Sequence, residues 1–542
     1  MANGLAPVSG SWTRAKAAHL LRRTLFGPTR DELEDATTSG LNATLNTLFG
    51  PRTSWGEPVN HFYQNSEVPV GTSWVNRSMS ANFDVGVYRY PSLRGWYWNN
   101  LLHHDTNIMA RMTMFWINHF GMGDVGEHRA EFQTIELFNS FGAGNFREMI
   151  ERITVHPAML RFLDGQSNNR WNPNENYARE LLELFTIQKG RQNSNDQEDY
   201  TNYTEDDIRA AKFILTGWRN NGFWSSDVDE ISSYFDANWH EPGPKTLSHR
   251  FNNAVIQENG ADEYKDLIAV IFQQPETARA ICRELYRFFV FSEIDATVES
   301  GVITPLANLL IAEDYELEPV LRNLFSSQHF YDMSVRGPVI KNPYEFIVSM
   351  ARPLGGFAHL GLTLNGNAGL QTRYDLGTAH MWWAGQMEMD FLLPPTVSGW
   401  PAYYQSPAYY RSWVGSATLK RRKAIVDTYT GNGIYTRQDG NDNNYQPRPF
   451  DYLGFIDSLS SPYDVNEMIL EITEIFLPRE LHPDQVAALK NQLLPDLPDM
   501  EWARQYGDYQ SSPNNPDVVN PLLAKVKAFF RAMFSLAEFN LM

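Results

Sequence analysis

The chain has 542 residues, 42% hydrophobic and 13% aromatic, which is ample for a packed core and excludes global disorder. It carries 64 acidic against 45 basic residues, a net charge of -19, which opposes binding to an extended phosphate backbone, so no nucleic acid is expected. No stretch approaches the roughly 20 apolar residues of a membrane span.

The N-terminus, Met1 to Pro7, lacks a basic segment followed by an apolar run, so the expectation is a cytoplasmic protein. A trimmed start would hide an export signal. Residues 14–26 place Ala17, Ala18, Leu20, Leu21 and Leu25 on one helical stripe; Gly27-Pro28 stops the helix and Thr29 caps the next. Residues 51–95 are rich in Pro, Gly, Ser, Asn and aromatics and predict a long irregular segment. Helical periodicity returns from Tyr97 to about Trp218, lapses over 219–260, and resumes at 261–331 and 341–352. The single cysteine, Cys282, lies in such a pattern and reads as a buried, inert thiol. Residues 353–412 mix Gly, Pro and aromatics and predict ordered loops. The tail predicts helices at 413–429, 464–476, 483–493 and 517–537, with a polar linker at 431–447. The basic run Lys420-Arg421-Arg422-Lys423 reads as the solvated face of the first of these. The expected fold is therefore mainly α, one large multi-helical body with long aromatic-rich loops and little or no β-sheet. It divides into an N-terminal helical hairpin and irregular segment (1–95), a helical core carrying the candidate site (96–430), and a linker with a C-terminal helical cap (431–542).

Five stretches are candidates for chemistry or for capping. In Asn172 to Phe185, Asn174 reads as an N-cap, and Tyr177, Leu181, Leu184 and Phe185 form an apolar face. Asn176, Glu180 and Glu183 run along its edge, toward a polar interior. Two carboxylates three residues apart need a cation, a shared proton or an arginine, and the plainer reading pairs Arg179 with Glu183. His119 ends an aromatic helix, Phe115-Trp116-Ile117-Asn118-His119-Phe120, where a core role comes first and a pocket role second. His103-His104-Asp105 is weaker, since Asp105 also fits a helix cap. His240-Glu241-Pro242-Gly243-Pro244-Lys245 predicts a rigid loop, and Tyr203-Thr204-Glu205-Asp206-Asp207 a helix start. Phosphate-loop, dinucleotide, zinc-protease and nucleophile-elbow motifs are absent.

Taken with Ala18 to Thr29, Gly144-Asn145-Phe146-Arg147, Pro157 to Leu160, Thr216-Gly217-Trp218 and Gly399-Trp400-Pro401, these stretches resemble the bacterial family called domain of unknown function 1800. They follow the family's order over nearly the whole chain. The resemblance implies a helical protein, commonly exported, encoded beside a second family similar to sulfatases and alkaline phosphatases, and hence a sulfatase-like partner. It carries over no catalytic residues. Ile117 stands where a histidine is frequent and Glu241 where an aspartate is usual.

Two readings follow. In the first, a metal- or carboxylate-dependent enzyme uses Glu180, Glu183, His240 and Lys245 as catalytic groups, with His119, Glu180, Glu183 and His240 as ligands of a divalent metal ion. The 240–245 loop would then fold over the helix carrying Glu180 and Glu183, although separate local partners remain the plainer outcome. In the second, a non-enzymatic protein binds a polysaccharide or partner through Trp382, Trp383, Trp400, Tyr403, Tyr404, Tyr409, Tyr410 and Trp413. The first is preferred because its polar motifs lie on helices.

Overall fold

Helix boundaries follow from capping chemistry already present in the sequence. In the computed structural model, which describes residues 4–190, 201–358, 369–438 and 441–542, Thr29 caps the Arg30–Ser39 helix and Glu32 returns a bond to the Thr29 amide. Asn342 and Glu345 close a second such box at the start of the Pro343–Ala351 helix. Thr204 and Asp207 do the same for Glu205–Ile214. The fold is mainly α, and the strands of the described residues form three two-stranded antiparallel sheets. No helix among those residues is long and apolar enough to cross a membrane.

Several elements differ from the sequence expectation. The Gly86–His103 helix begins before Tyr97 and runs through Pro91. Beside it packs a helix inside the supposed loop region, Leu370–Gly385. Their contact is glycine on glycine: a Cβ on Gly377 would lie 2.5 Å from the Gly95 carbonyl oxygen. Leu370–Gly385 buries residues around much of its circumference, including Gln371, Arg373 and His380, so it has no amphipathic stripe to read. The polar segment 431–447 is largely a hairpin, Ile434–Gln438 paired with Asn441–Arg448. Ile434 and Thr436 point inward and Tyr435 outward, and Arg437 grips Asp375 at 2.6 Å. An unpredicted helix, Met500–Ser511, joins the tail bundle. Within Ser416–Tyr429, Lys420, Arg421 and Lys423 face solvent, but Arg422 turns inward to donate to the Lys341 carbonyl at 2.6 Å.

The two ends of the chain meet. Arg30 pairs with Glu471 at 2.9 Å, and the Lys341 amide donates to the Asn540 carbonyl. A buried pair, Arg352 to both oxygens of Glu32 at 2.6 Å, joins the second helix to the helix 343–351, and Arg352 also donates to the His104 carbonyl. Burial alone would raise the Glu32 carboxyl, but Arg352 outweighs it and holds the group at about 2, against an ordinary 4.5. A carboxyl depressed on folding adds stability that is present above its unfolded value and lost as pH falls through its folded value. Wild type and Glu32→Gln are therefore expected to differ in urea midpoint at neutral pH and to converge as pH drops from about 4.5 toward 2. A gap that stays constant over that range would contradict the role given to this pair.

Candidate functional site

The 240–245 segment is a loop with Gly243 at φ 84°, and it delivers His240 and Lys245 to one buried point. That point is Glu263, the first residue of the Glu263–Phe272 helix and 0% exposed. His240 Nε2 lies 2.9 Å from one carboxylate oxygen and Lys245 Nζ 2.7 Å from the other. Lys245 also donates to the Glu241 carbonyl at 2.6 Å and lies 3.4 Å from His240 Nε2, while His240 Nδ1 sits 2.9 Å from the Thr216 carbonyl. Burial raises the Glu263 carboxyl, but the bonds from His240 and Lys245 outweigh it and leave it below its ordinary value. Every polar atom of this cluster is engaged internally, which is the pattern of a structural clamp. Glu263 was not among the predicted residues, since it looks like one acid in a helix's first turn. The usable signal was its spacing: Glu263, Leu267 and Ile271 share one face, so a carboxylate begins a buried apolar stripe.

The loop rests on the Glu205–Ile214 helix, where Glu241, Pro242 and Pro244 face Asp206, Arg209 and Phe213 across an open groove of about 450 Å3. Buried Asp207 fixes the segment just beyond by accepting from the Ser248 amide and hydroxyl. Glu180 and Glu183 lie on the neighbouring element, where an α-turn, Asn176–Glu180, passes into a π-turn, Leu181–Phe185. The π-turn adds a residue to the turn and breaks the 3.6-residue stripe. The Asn174 side chain accepts from the Asn176 amide, the bond of the expected N-cap, while Asn176 itself is exposed. Arg179 reaches Glu175 and Glu205, so it does not answer Glu183. Glu183 instead accepts from the Tyr203 hydroxyl at 2.7 Å, with Lys189 at 3.5 Å. Glu180 is half-buried, and burial and the Glu183 charge both push its carboxyl upward.

His119 occupies the aromatic core between Phe115, Trp116, Phe120 and Phe146, with Nε2 3.2 Å from the Phe185 carbonyl. Burial lowers it to about 4, so the ring is neutral. It meets the glutamate turn at Phe185, through that residue's carbonyl and ring, and touches neither carboxylate among the described contacts. His104 is likewise buried, is lowered to about 3, and bonds the Asp105 carbonyl; Asp105 accepts from Thr53 and does not cap a helix. Among the described residues no group of three or more His, Cys, Asp or Glu is arranged to hold a metal ion, so the ligand set His119, Glu180, Glu183 and His240 has no assembled counterpart there. Cys282 is buried, and burial pushes its thiol up.

Of the eight aromatics expected at a binding surface, Trp400, Tyr410 and Trp413 are buried, Trp383, Tyr403 and Tyr409 partly so, and only Trp382 and Tyr404 are exposed. A different aromatic cluster does reach solvent. The Arg170 amide donates to the Trp239 carbonyl at 2.9 Å, bringing Trp171 and Trp239 edge-to-face at 6.1 Å. Arg170 lies over the Trp171 ring at 4.4 Å and Arg219 over Trp239 at 3.8 Å. Trp171 is 65% exposed. Neither arginine has a carboxylate partner among the described residues, and Arg219 Nη1 is buried without a hydrogen bond. A third pair, Arg161 over Trp224 at 4.8 Å, stands on the Pro157–Phe162 helix, which is bonded through Pro157 to Asn220 of the strand holding Arg219.

The family described as protein of unknown function, DUF1800, matches residues 19–540. The chain belongs to the DUF1800 family. No curated protein and no solved structure matches it. In this DUF1800 protein the stretches that carry the family resemblance meet in pairs. The Asn118 side chain accepts from the Trp400 amide, and a Cβ on Gly399 would lie 2.4 Å from the Asn118 carbonyl oxygen. Thr216 receives His240, and His119 meets the Phe185 carbonyl. These motifs hold distant segments of the fold against one another.

Proposed function

We propose that this DUF1800 protein is a non-enzymatic binding protein that takes an anionic polysaccharide on the Trp171–Trp239 cluster. The observation that carries this reading is the pair of arginines stacked on those rings without carboxylate partners among the described residues, in a chain of net charge -19. An acidic protein repels a polyanion overall, so binding needs a local cationic site. Indole faces take the apolar face of a sugar ring, and guanidinium groups pair with its sulfate or carboxylate in a two-pronged geometry. A sulfated chain also matches the sulfatase-like partner that the family resemblance implies. The enzyme reading keeps only Glu180 and Glu183, because His240 and Lys245 are spent on Glu263.

Affinity electrophoresis in gels containing carrageenan, polygalacturonate or neutral dextran tests this. Retardation is expected with the two polyanions and not with dextran. Trp171→Ala and Arg219→Ala are each expected to weaken it roughly tenfold, about 1.4 kcal/mol. Equal mobility in all three gels, or an unaffected Trp171→Ala protein, would refute the reading.

A further inference from the structure

At the junction of the first helix with the tail, buried positive charge outnumbers buried negative charge. Arg22, Arg23, Arg111, Lys341 and Arg422 are all buried, and Glu345 is the buried carboxylate among them. Glu345 is committed to Arg111 and to the Asn342 amide. Arg22 donates to the Glu474 and Ile475 carbonyls, Arg23 to Val335, and Arg422 to the Lys341 carbonyl and the Asn540 side chain. These partners are neutral. The Lys341 ammonium has no carboxylate partner among the described residues and lies 4.0 Å from the centre of the Phe539 ring. An unpaired buried charge costs several kcal/mol. Four in one region call for a counter-charge or for loss of a proton.

A pocket opens between two of them. It is lined by Arg22, Lys341, Glu345, Ser349, Gly27 and Phe476, and its free space of about 10 Å3 suits one water-sized occupant. Arg22 is one of the lining residues, and its Nε is buried and without a hydrogen-bond partner among the described residues. Lys341 and Ser349 line the same pocket. We propose that a single monoatomic anion of halide size binds in this pocket, held by Lys341 and Arg22, and supplies the missing counter-charge. The competing route to neutrality is a deprotonated Lys341, which burial, Arg22 and Arg422 favour and Glu345 opposes. The two routes exclude each other, because an uncharged amine needs no anion.

Crystals of the full chain grown in bromide decide between them by anomalous scattering. One bromide peak is expected between Lys341 and Arg22, and it should be lost in Lys341→Met. No peak, or a peak unchanged by Lys341→Met, would overturn the proposal. Should Lys341→Met fail to fold, melting of the wild-type protein gives a separate answer. At constant ionic strength, replacing gluconate by chloride is expected to raise the melting temperature by about 2 °C in a saturating manner. Identical melting in the two salts would overturn it as well.

Discussion

Replacing Glu263 by leucine is expected to cost about 3–5 kcal/mol of folding stability, the penalty for stranding a buried ammonium group whose carboxylate has been removed. Glu263 accepts from Lys245, His240 and the Asn259 amide, and no solvent reaches it to compensate. The change leaves an ammonium group and an imidazole against an apolar side chain. Two further variants separate charge from shape. Glu263→Gln keeps one acceptor oxygen and the volume, so it should cost less than leucine. Combining Glu263→Leu with Lys245→Met removes the orphaned ammonium as well, and it should recover part of the loss, because an apolar replacement of a whole buried ion pair is often tolerated. Urea unfolding at pH 7 measures all three. A loss below about 1 kcal/mol for Glu263→Leu, the level of an exposed pair, would remove this cluster from the account of the fold.

That cluster also shows how far the sequence could be read. The 240–245 loop was legible because two prolines and a glycine leave the backbone little choice. That one loop carries both His240 and Lys245 was legible too, since they sit five residues apart. The carboxylate they meet was not, because Glu263 comes from another element and only the packed fold selects it from 64 acidic residues. His119 was legible as a core residue from its aromatic neighbours in the helix. Glu180 and Glu183 were placed on one helical stripe, and the π-turn that displaces them leaves no mark that a 3.6-residue period can show. Arg219 and Trp239 come together only when the Trp218–Asn221 strand pairs with Ser232–Phe235, and neither strand has a run long enough to announce itself.

Gly377→Ala is expected to destabilise the protein by about 3 kcal/mol, the upper range for an overpacked core. The added methyl carbon would stand 2.5 Å from the Gly95 carbonyl oxygen and 2.7 Å from its Cα. Both atoms are backbone, so no side chain can rotate away, and the two helices must separate along their length. Gly95→Ala meets the same crossing from the other side, 2.8 Å from the Tyr374 carbonyl oxygen. The effects of the two substitutions should add to less than their sum, because either one already forces the helices apart. Gly355 is the control, with a left-handed φ of 78° but no atom within 4 Å of an added Cβ. Gly355→Ala should therefore cost only the backbone term, about 1 kcal/mol. Chemical denaturation of the four proteins, each alanine variant and the Gly95/Gly377 double, resolves these differences. A Gly377→Ala loss no larger than that of Gly355→Ala would mean that the two helices do not cross as closely as glycine on glycine requires. The Leu370–Gly385 helix, which has no amphipathic pattern to hold it in place, would then need another explanation for its position.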